Sequence, residues 1–253
     1  MARRRNRKKL RPGQVCTLIL AAAVVAAAAY FLITNYLFVV RSIAVQLPEG
    51  ARFTQQQAAQ QSGLKLGARM DRIDEAAIAQ QMAGTGWLEL EDVRLEYPSH
   101  VELVVSQRKP AALVSHVSTV LVTDADGVVI EQVTGEPNYP DCVYVTDLDV
   151  KRAQPGHVLQ SGSRGKVEAL TALLQGFEEV PCQELISWVT LEEPKNVKMY
   201  STTHVWVEMG EPENMADKLR WTEAALNDLI ARGENLGTLN VSSGRHADYA
   251  PQQ

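Results

Sequence analysis

The chain has 253 residues, of which 25 are Lys or Arg and 30 are Asp or Glu, for a formal charge of −5 at neutral pH. Seven of the cations (Arg3, Arg4, Arg5, Arg7, Lys8, Lys9 and Arg11) crowd into the first eleven positions, so the remainder carries 18 basic against 30 acidic residues and stands at −12. An acidic body argues against nucleic-acid binding, which needs cations to neutralise phosphates, and three scattered cysteines (Cys16, Cys142, Cys182) offer no metal-ligand spacing.

After Arg11 no charge appears until Arg41. A hydrocarbon core about 30 Å thick needs roughly 20 apolar residues in a helix, and residues 15–40 exceed that. The pattern predicts a cytoplasmic basic tail over residues 1–13, a transmembrane helix over residues 14–39, and an extracytoplasmic remainder, hence a single-pass type II protein of the cell membrane. The run is longer than the ~7 to 15 apolar residues of a signal-peptide core, and Tyr30 and Tyr36 suit an interfacial aromatic belt. The seven cations of the head read as a topology signal, which alone explains them, and as groups that would face anionic lipid or a cytoplasmic partner.

Residues 40–46 read as a strand, closed by Pro48, Glu49 and Gly50. Thr54 and Gln57 have capping-box spacing for a helix that Gly63 ends. A second helix is predicted over residues 72–83, on the one-turn spacing of Ile78 and Met82, with Gly84 and Gly86 stopping it. From Asp92 the period changes to two: Val93, Leu95 and Tyr97 make one strand, Pro98 to His100 a turn, and Val101, Leu103 and Val105 its antiparallel partner. The unit is β-α-α-β-β.

Such a module resembles the POTRA domain. Gly63, Leu64, Lys65, Leu66 and Gly67, then Trp87, Tyr97 with Pro98, and Arg108, Lys109, Pro110 and Ala111 fall where that family has its glycine turns, tryptophan, hairpin proline and R-x-P-x-A exit. In this order, behind an apolar segment, they resemble the FtsQ/DivIB family of bacterial cell-division proteins. The likeness runs over most of the chain and is strongest over residues 39–127. It implies a POTRA-like domain over residues 40–109, a distal mixed antiparallel-sheet β domain over residues 110–241 and a flexible tail over residues 242–253, an α+β fold.

In the distal part, residues 111–117 and 120–124 read as strands, and Asp126 with Gly127 as a hairpin turn before Val128, Val129 and Ile130. Leu121, Val122, Asp124 and Gly127 match a turn of the family. Residues 134–165, rich in proline and glycine, read as loose, with one strand over residues 142–146. Val167, Leu170, Leu173, Leu174 and Phe177 form one apolar helix face. A meander follows, built on Ile186 and Trp188, on residues 197–200, and on Val205 and Val207. A last helix over residues 214–232 is expected to bury Leu219, Leu226, Leu229 and Ile230, with a closing strand at residues 238–241.

Catalytic spacing is missing from the sequence. The stretch Ser161 to Lys166 lacks the glycine and hydroxyl positions of a phosphate loop and the geometry of a nucleophile elbow, so Ser163 reads as a helix N-cap. The five histidines (His100, His116, His157, His204, His246) stand singly, and the adjacent acids Glu178, Glu179, Glu192 and Glu193 point apart. Neither cofactor, metal nor small-molecule substrate is implied, and four tryptophans (Trp87, Trp188, Trp206, Trp221) read first as core, Trp221 least securely. Whether Cys142 and Cys182 pair stays open. The leading expectation is a non-enzymatic scaffold, with a membrane-anchored or secreted enzyme as the alternative.

The resemblance implies partners: small single-span coiled-coil division proteins like FtsB (DivIC) and FtsL, met at the division septum to support septal wall synthesis. By position the family's terminal partner-binding strand falls on Thr238, Leu239, Asn240 and Val241, its small-residue turn on Ser243 and Gly244, and its late aromatic on Tyr249. Where the family often carries an Asp-Leu-Arg-like sequence, this strand is uncharged. The helix face around Trp221 is a second candidate contact. As the last strand of an open sheet, residues 238–241 would offer unpaired N–H and C=O groups for a partner strand.

Overall fold

The computed structural model describes residues 12–32 and 36–252. The predicted basic head lies outside that range. Helix α1 (Pro12–Leu32) exposes Ile19, Leu20, Val24 and Val25 along its length. The span predicted over residues 14–39 has to be corrected, because among the described residues no helix is long and apolar enough to cross a membrane. The last apolar residues of that stretch belong to the folded domain. The Phe38 carbonyl accepts from Met70 N–H, Val39 bridges Arg69, Val40 exchanges backbone bonds with Gly67 and Ala68, and its side chain is 1 % exposed. A hydrophobic run read as one element thus serves two.

The first domain consists of β1 (Ser42–Gln46), α2 (Gln55–Gln61), α3 (Glu75–Ala83), β2 (Leu88–Glu96) and β3 (His100–Gln107), with a 3-10 turn at Met70–Arg72. The sheet order is β1-β3-β2, β1 running parallel to β3 and β2 antiparallel to it. Thr54 and Gln57 form the capping box that opens α2, and the Asp74 carboxylate caps α3 by accepting from Ala77 N–H. That cap starts the helix three residues later than predicted. Val101, Leu103 and Val105 alternate inward from β3 and meet Ala58, Met70, Ile78, Met82 and Leu88 in one core. A bulge between Leu90 and Asp92 lets Leu90 and Val93 both pack on the core, and the alternation continues to Leu95 opposite Val101, but Leu95 is 36 % and Tyr97 62 % exposed.

The rest of the chain builds a nine-stranded sheet from β4 (Ala112–His116), β5 (Thr119–Thr123), β6 (Val129–Val133), β7 (Val143–Thr146), β10 (Ile186–Glu193), β11 (Asn196–Ser201), β12 (Val205–Gly210), β13 (Gly237–Asn240) and β14 (Asp248–Pro251). Their order is β14-β13-β12-β11-β10-β7-β4-β5-β6. A separate small ribbon pairs β8 (Val150–Arg152) with β9 (Gln160–Ser161) inside the stretch expected to be loose. Three of the sheet's joins, β4 to β7, β7 to β10 and β12 to β13, are parallel, which a sequence reading for antiparallel hairpins does not supply.

Helices α4 (Arg164–Glu179) and α5 (Met215–Arg232) cover one face of this sheet. Leu170, Leu173, Leu174 and Phe177 from α4 and Leu219, Leu226 and Leu229 from α5 pack on Val145, Val189, Met199, Val207 and Leu239. Each such side chain, fully buried, stabilises by roughly 1.5–3 kcal/mol before entropy is counted. Ile230, expected in this core, is 46 % exposed on the outer side of α5. Ser163 does stand at the N-cap of α4, yet its side chain makes no capping bond.

Alternation sends the other residues of each strand to the opposite face. There the first domain covers β4, β5 and β6: Trp87 packs with Leu113, Val122 and Ile130. Among the described residues, no helix packs on that face from β10 to β14.

Candidate functional site at the C-terminal sheet margin

Strand β13 does not end the sheet. It lies parallel to β12 and takes β14 antiparallel on its outer side, in the register Thr238 with Ala250, Leu239 with Tyr249 and Asn240 with Asp248. The tail expected to be flexible therefore supplies a strand, and the backbone edge expected to be free on residues 238–241 is occupied by the chain itself.

The candidate residues separate by the pleat. Leu239 and Val241 are buried in the main core, so their side chains are closed to a partner. Thr238 and Asn240 face the helix-free side, where the Asn240 amide donates to Glu208 Oε2 at 3.2 Å. Asn240 Oδ1 of the same side chain accepts from Ser242 N–H at 3.1 Å and from its hydroxyl at 2.7 Å, which turns the chain out of β13. Ser243 Oγ accepts from Arg245 N–H, and Gly244, at φ +65°, sits beside Lys218 of α5. Trp221, one helical turn beyond Lys218, is 42 % exposed. Turn, helix flank and terminal strand thus share one end of the sheet, although Leu239 and Val241 act only as its underside.

Two residues decide this margin, Tyr249, which the sequence reading singled out, and Pro251, which it did not. Tyr249 lies on the core side of β14 with its ring over Gly237: a Cβ at that glycine would stand 2.6 Å from the ring and 2.6 Å from the Ala250 carbonyl oxygen. Only glycine admits β14 this closely. The Tyr249 hydroxyl reaches the Leu236 carbonyl at 3.4 Å. Pro251 is the second. Gln252 N–H donates to the Leu236 carbonyl, so by antiparallel alternation Asp248, Ala250 and Gln252 turn their backbone groups inward, and Tyr249 and Pro251 turn theirs outward. Proline brings no N–H to that outer row. A turn at residues 242–244 followed by Asp248, Tyr249 and Ala250 is a hairpin signal that could have located this strand.

The helix-free face carries a transverse row of in-register neighbours, Tyr144, Trp188, Tyr200, Trp206 and Thr238. Trp188 stacks on Tyr200 with ring centroids 4.2 Å apart, and Trp206 meets Trp188 edge-on at 6.2 Å. Trp206 is 39 % exposed, so it is not the core residue expected. Beside the row lies a groove of about 460 Å³, flanked by Asp147, Glu192, Glu208 and Lys198. Asp147 Oδ2 accepts from the hydroxyls of Thr146 and Thr190, both at 2.8 Å, and these bonds hold its carboxyl below the ordinary carboxylate range. Such a carboxylate is committed to its neighbours and poorly suited to take up a proton.

Cys142 and Cys182 are unpaired thiols, and burial pushes them up to about 11 and about 12 respectively. Thiols so disfavoured as thiolates are weak nucleophiles and weak ligands. Among the described residues no group of three or more His, Cys, Asp and Glu could hold a metal ion. No family model matches the chain, and no curated protein is significantly similar to it.

Proposed function

We propose that the chain is a non-enzymatic scaffold of the FtsQ/DivIB type, which works on the extracytoplasmic side of the division septum by lending its C-terminal sheet margin to FtsB/DivIC-like and FtsL-like coiled-coil proteins. The reading is supported by a β-α-α-β-β domain leading directly into a larger sheet, and by an aromatic-rich, helix-free face beside that sheet's end. The observation that carries it is the margin: it closes on a strand of only four residues, held by its backbone ladder to β13 and by one large side chain, Tyr249. Sheet margins are where extended partners add. Chemistry has less to work with, since the carboxylate nearest the aromatic row is tied to two threonines and both thiols are suppressed.

The reading is tested by co-purifying the full chain with FtsB/DivIC-like and FtsL-like proteins. Because Trp221 is exposed, Trp221→Ala should lower capture while leaving the melting temperature within about 2 °C of the parent. Failure of the unmodified chain to retain either partner would reject the proposal.

A further inference from the structure

We propose that β14 is a resident strand on the docking edge of β13, and that a partner strand pairs with β13 only after β14 has left. The inference rests on the margin being the partner-binding site. It concerns what fills that site when no partner is present.

The outer row of β14 is a poor place for another strand. It presents the N–H and C=O of Tyr249 and the C=O of Pro251, and the missing proline donor breaks the ladder within four residues. The row behind it is intact. Thr238 and Asn240 of β13 each have a donor and an acceptor directed at β14, on a strand whose other side is fixed to β12 and whose residues Gly237 and Leu239 are buried. At this margin β13 offers an arriving strand the full antiparallel ladder that β14 lacks.

The occupant also defines what fits. Next to Gly237 the margin accepts an aromatic ring close against the backbone, and opposite Thr238 it holds a small residue, Ala250. The replacing segment is therefore an extended, antiparallel polypeptide with an aromatic at the Tyr249 position and a small residue after it. Beyond its ladder to β13, few side chains secure β14: Asp248, Ala250 and Pro251 are exposed, and the half-buried Tyr249, with Ala247 just before the strand, packs on the core. Residues 241–247 tether it, so a displaced β14 stays at an effective concentration of roughly millimolar and returns when the partner departs.

The probe is a fluorescein-labelled peptide of residues 245–253, followed by anisotropy against three proteins that keep their native N-terminus: the full chain, a chain ending at Gly244, and full-length Tyr249→Ala. The shortened chain should bind the peptide at least roughly tenfold more tightly than the full chain, because the tethered copy no longer competes. Tyr249→Ala should fall between them, with unchanged far-ultraviolet dichroism. Equal binding by the full and shortened chains would overturn the exchange and leave the margin as a docking site. No binding by either the shortened chain or Tyr249→Ala, with native dichroism, would overturn both this inference and the partner-strand reading. Should the shortened chain lose its native dichroism, full-length Tyr249→Ala against the parent decides.

Discussion

The two ends of the nine-stranded sheet are closed in different ways. At β6 the segment 156–159 is stitched on: Val129 N–H donates to His157 O, Gly156 N–H returns to Val129 O, and Leu159 N–H donates to Gly127 O. The first domain adds Trp87, 8 % exposed, which donates to Glu131 at 3.3 Å and lies under the Arg52 guanidinium at 4.6 Å. Arg108 then fastens the junction, reaching Asp124 at 2.7 Å and Glu89 at 3.2 Å. At β14 a single tethered strand and one tyrosine do the closing. One margin joins domains permanently; the other has the low local stability that an exchangeable site requires.

The largest blow to this contrast falls on the fixed end. Arg108→Ala would leave the buried Asp124 carboxylate with only the Asp126 and Val128 N–H groups as partners. Breaking a buried pair from one side costs about 3 kcal/mol, read as a lower urea midpoint. A loss under about 1 kcal/mol would mean that the junction is not held by this pair. Gly86→Ala comes next. At φ +76°, with its would-be Cβ 1.8 Å from the Ile130 carbonyl oxygen, this position should cost about 2 kcal/mol and separate the two domains. Faster amide exchange over residues 129–133 is the expected sign.

Tyr249→Ala strikes the other end and should cost only about 1 kcal/mol, since the ring is half-buried and the strand marginal. Its effect should be local. The Thr238 and Asn240 amides, which face β14, should exchange at least tenfold faster, with β10 and β11 unchanged. Uniform acceleration across the sheet would show that β14 is part of the cooperative core, and the distinction between the margins would disappear.

The first domain was more legible in sequence than the second because its pairings are local. Val101, Leu103 and Val105 alternate plainly, Pro98 marks the hairpin, and Thr54 with Gln57 states a helix start. In the distal domain the α4 stripe was equally plain, yet strands such as β4 and β7 meet across long stretches of chain, and parallel pairing leaves no turn signature. The apolar run before Arg41 misled for a related reason: composition does not say that Val39 and Val40 belong to a folded core. The margin was half legible. Tyr249 could be singled out as an aromatic, but its role depends on Gly237 lying beneath it, and that approach exists only once β13 and β14 are paired.

The helix-free face extends the contrast toward the exchangeable end, and its smallest expected effect concerns Asp147. Thr190→Val removes one of the two hydroxyls that stabilise the carboxylate, so the Asp147 titration midpoint, followed by carboxyl carbon shifts, should move up toward the ordinary value of about 4. The sign for stability follows from the lowered native value. The Thr190 contribution is present above the unfolded carboxylate range and vanishes as pH falls through the native midpoint, so parent and variant should converge in acid and differ slightly at neutrality. A difference growing toward low pH would contradict it. Because this carboxylate is exposed at the groove, solvent screening keeps the effect small, and no change in β14 exchange should accompany it. Coupling between the two would instead mean that the aromatic row transmits strain from Thr190 through Tyr200 and Trp206 to the terminal strand.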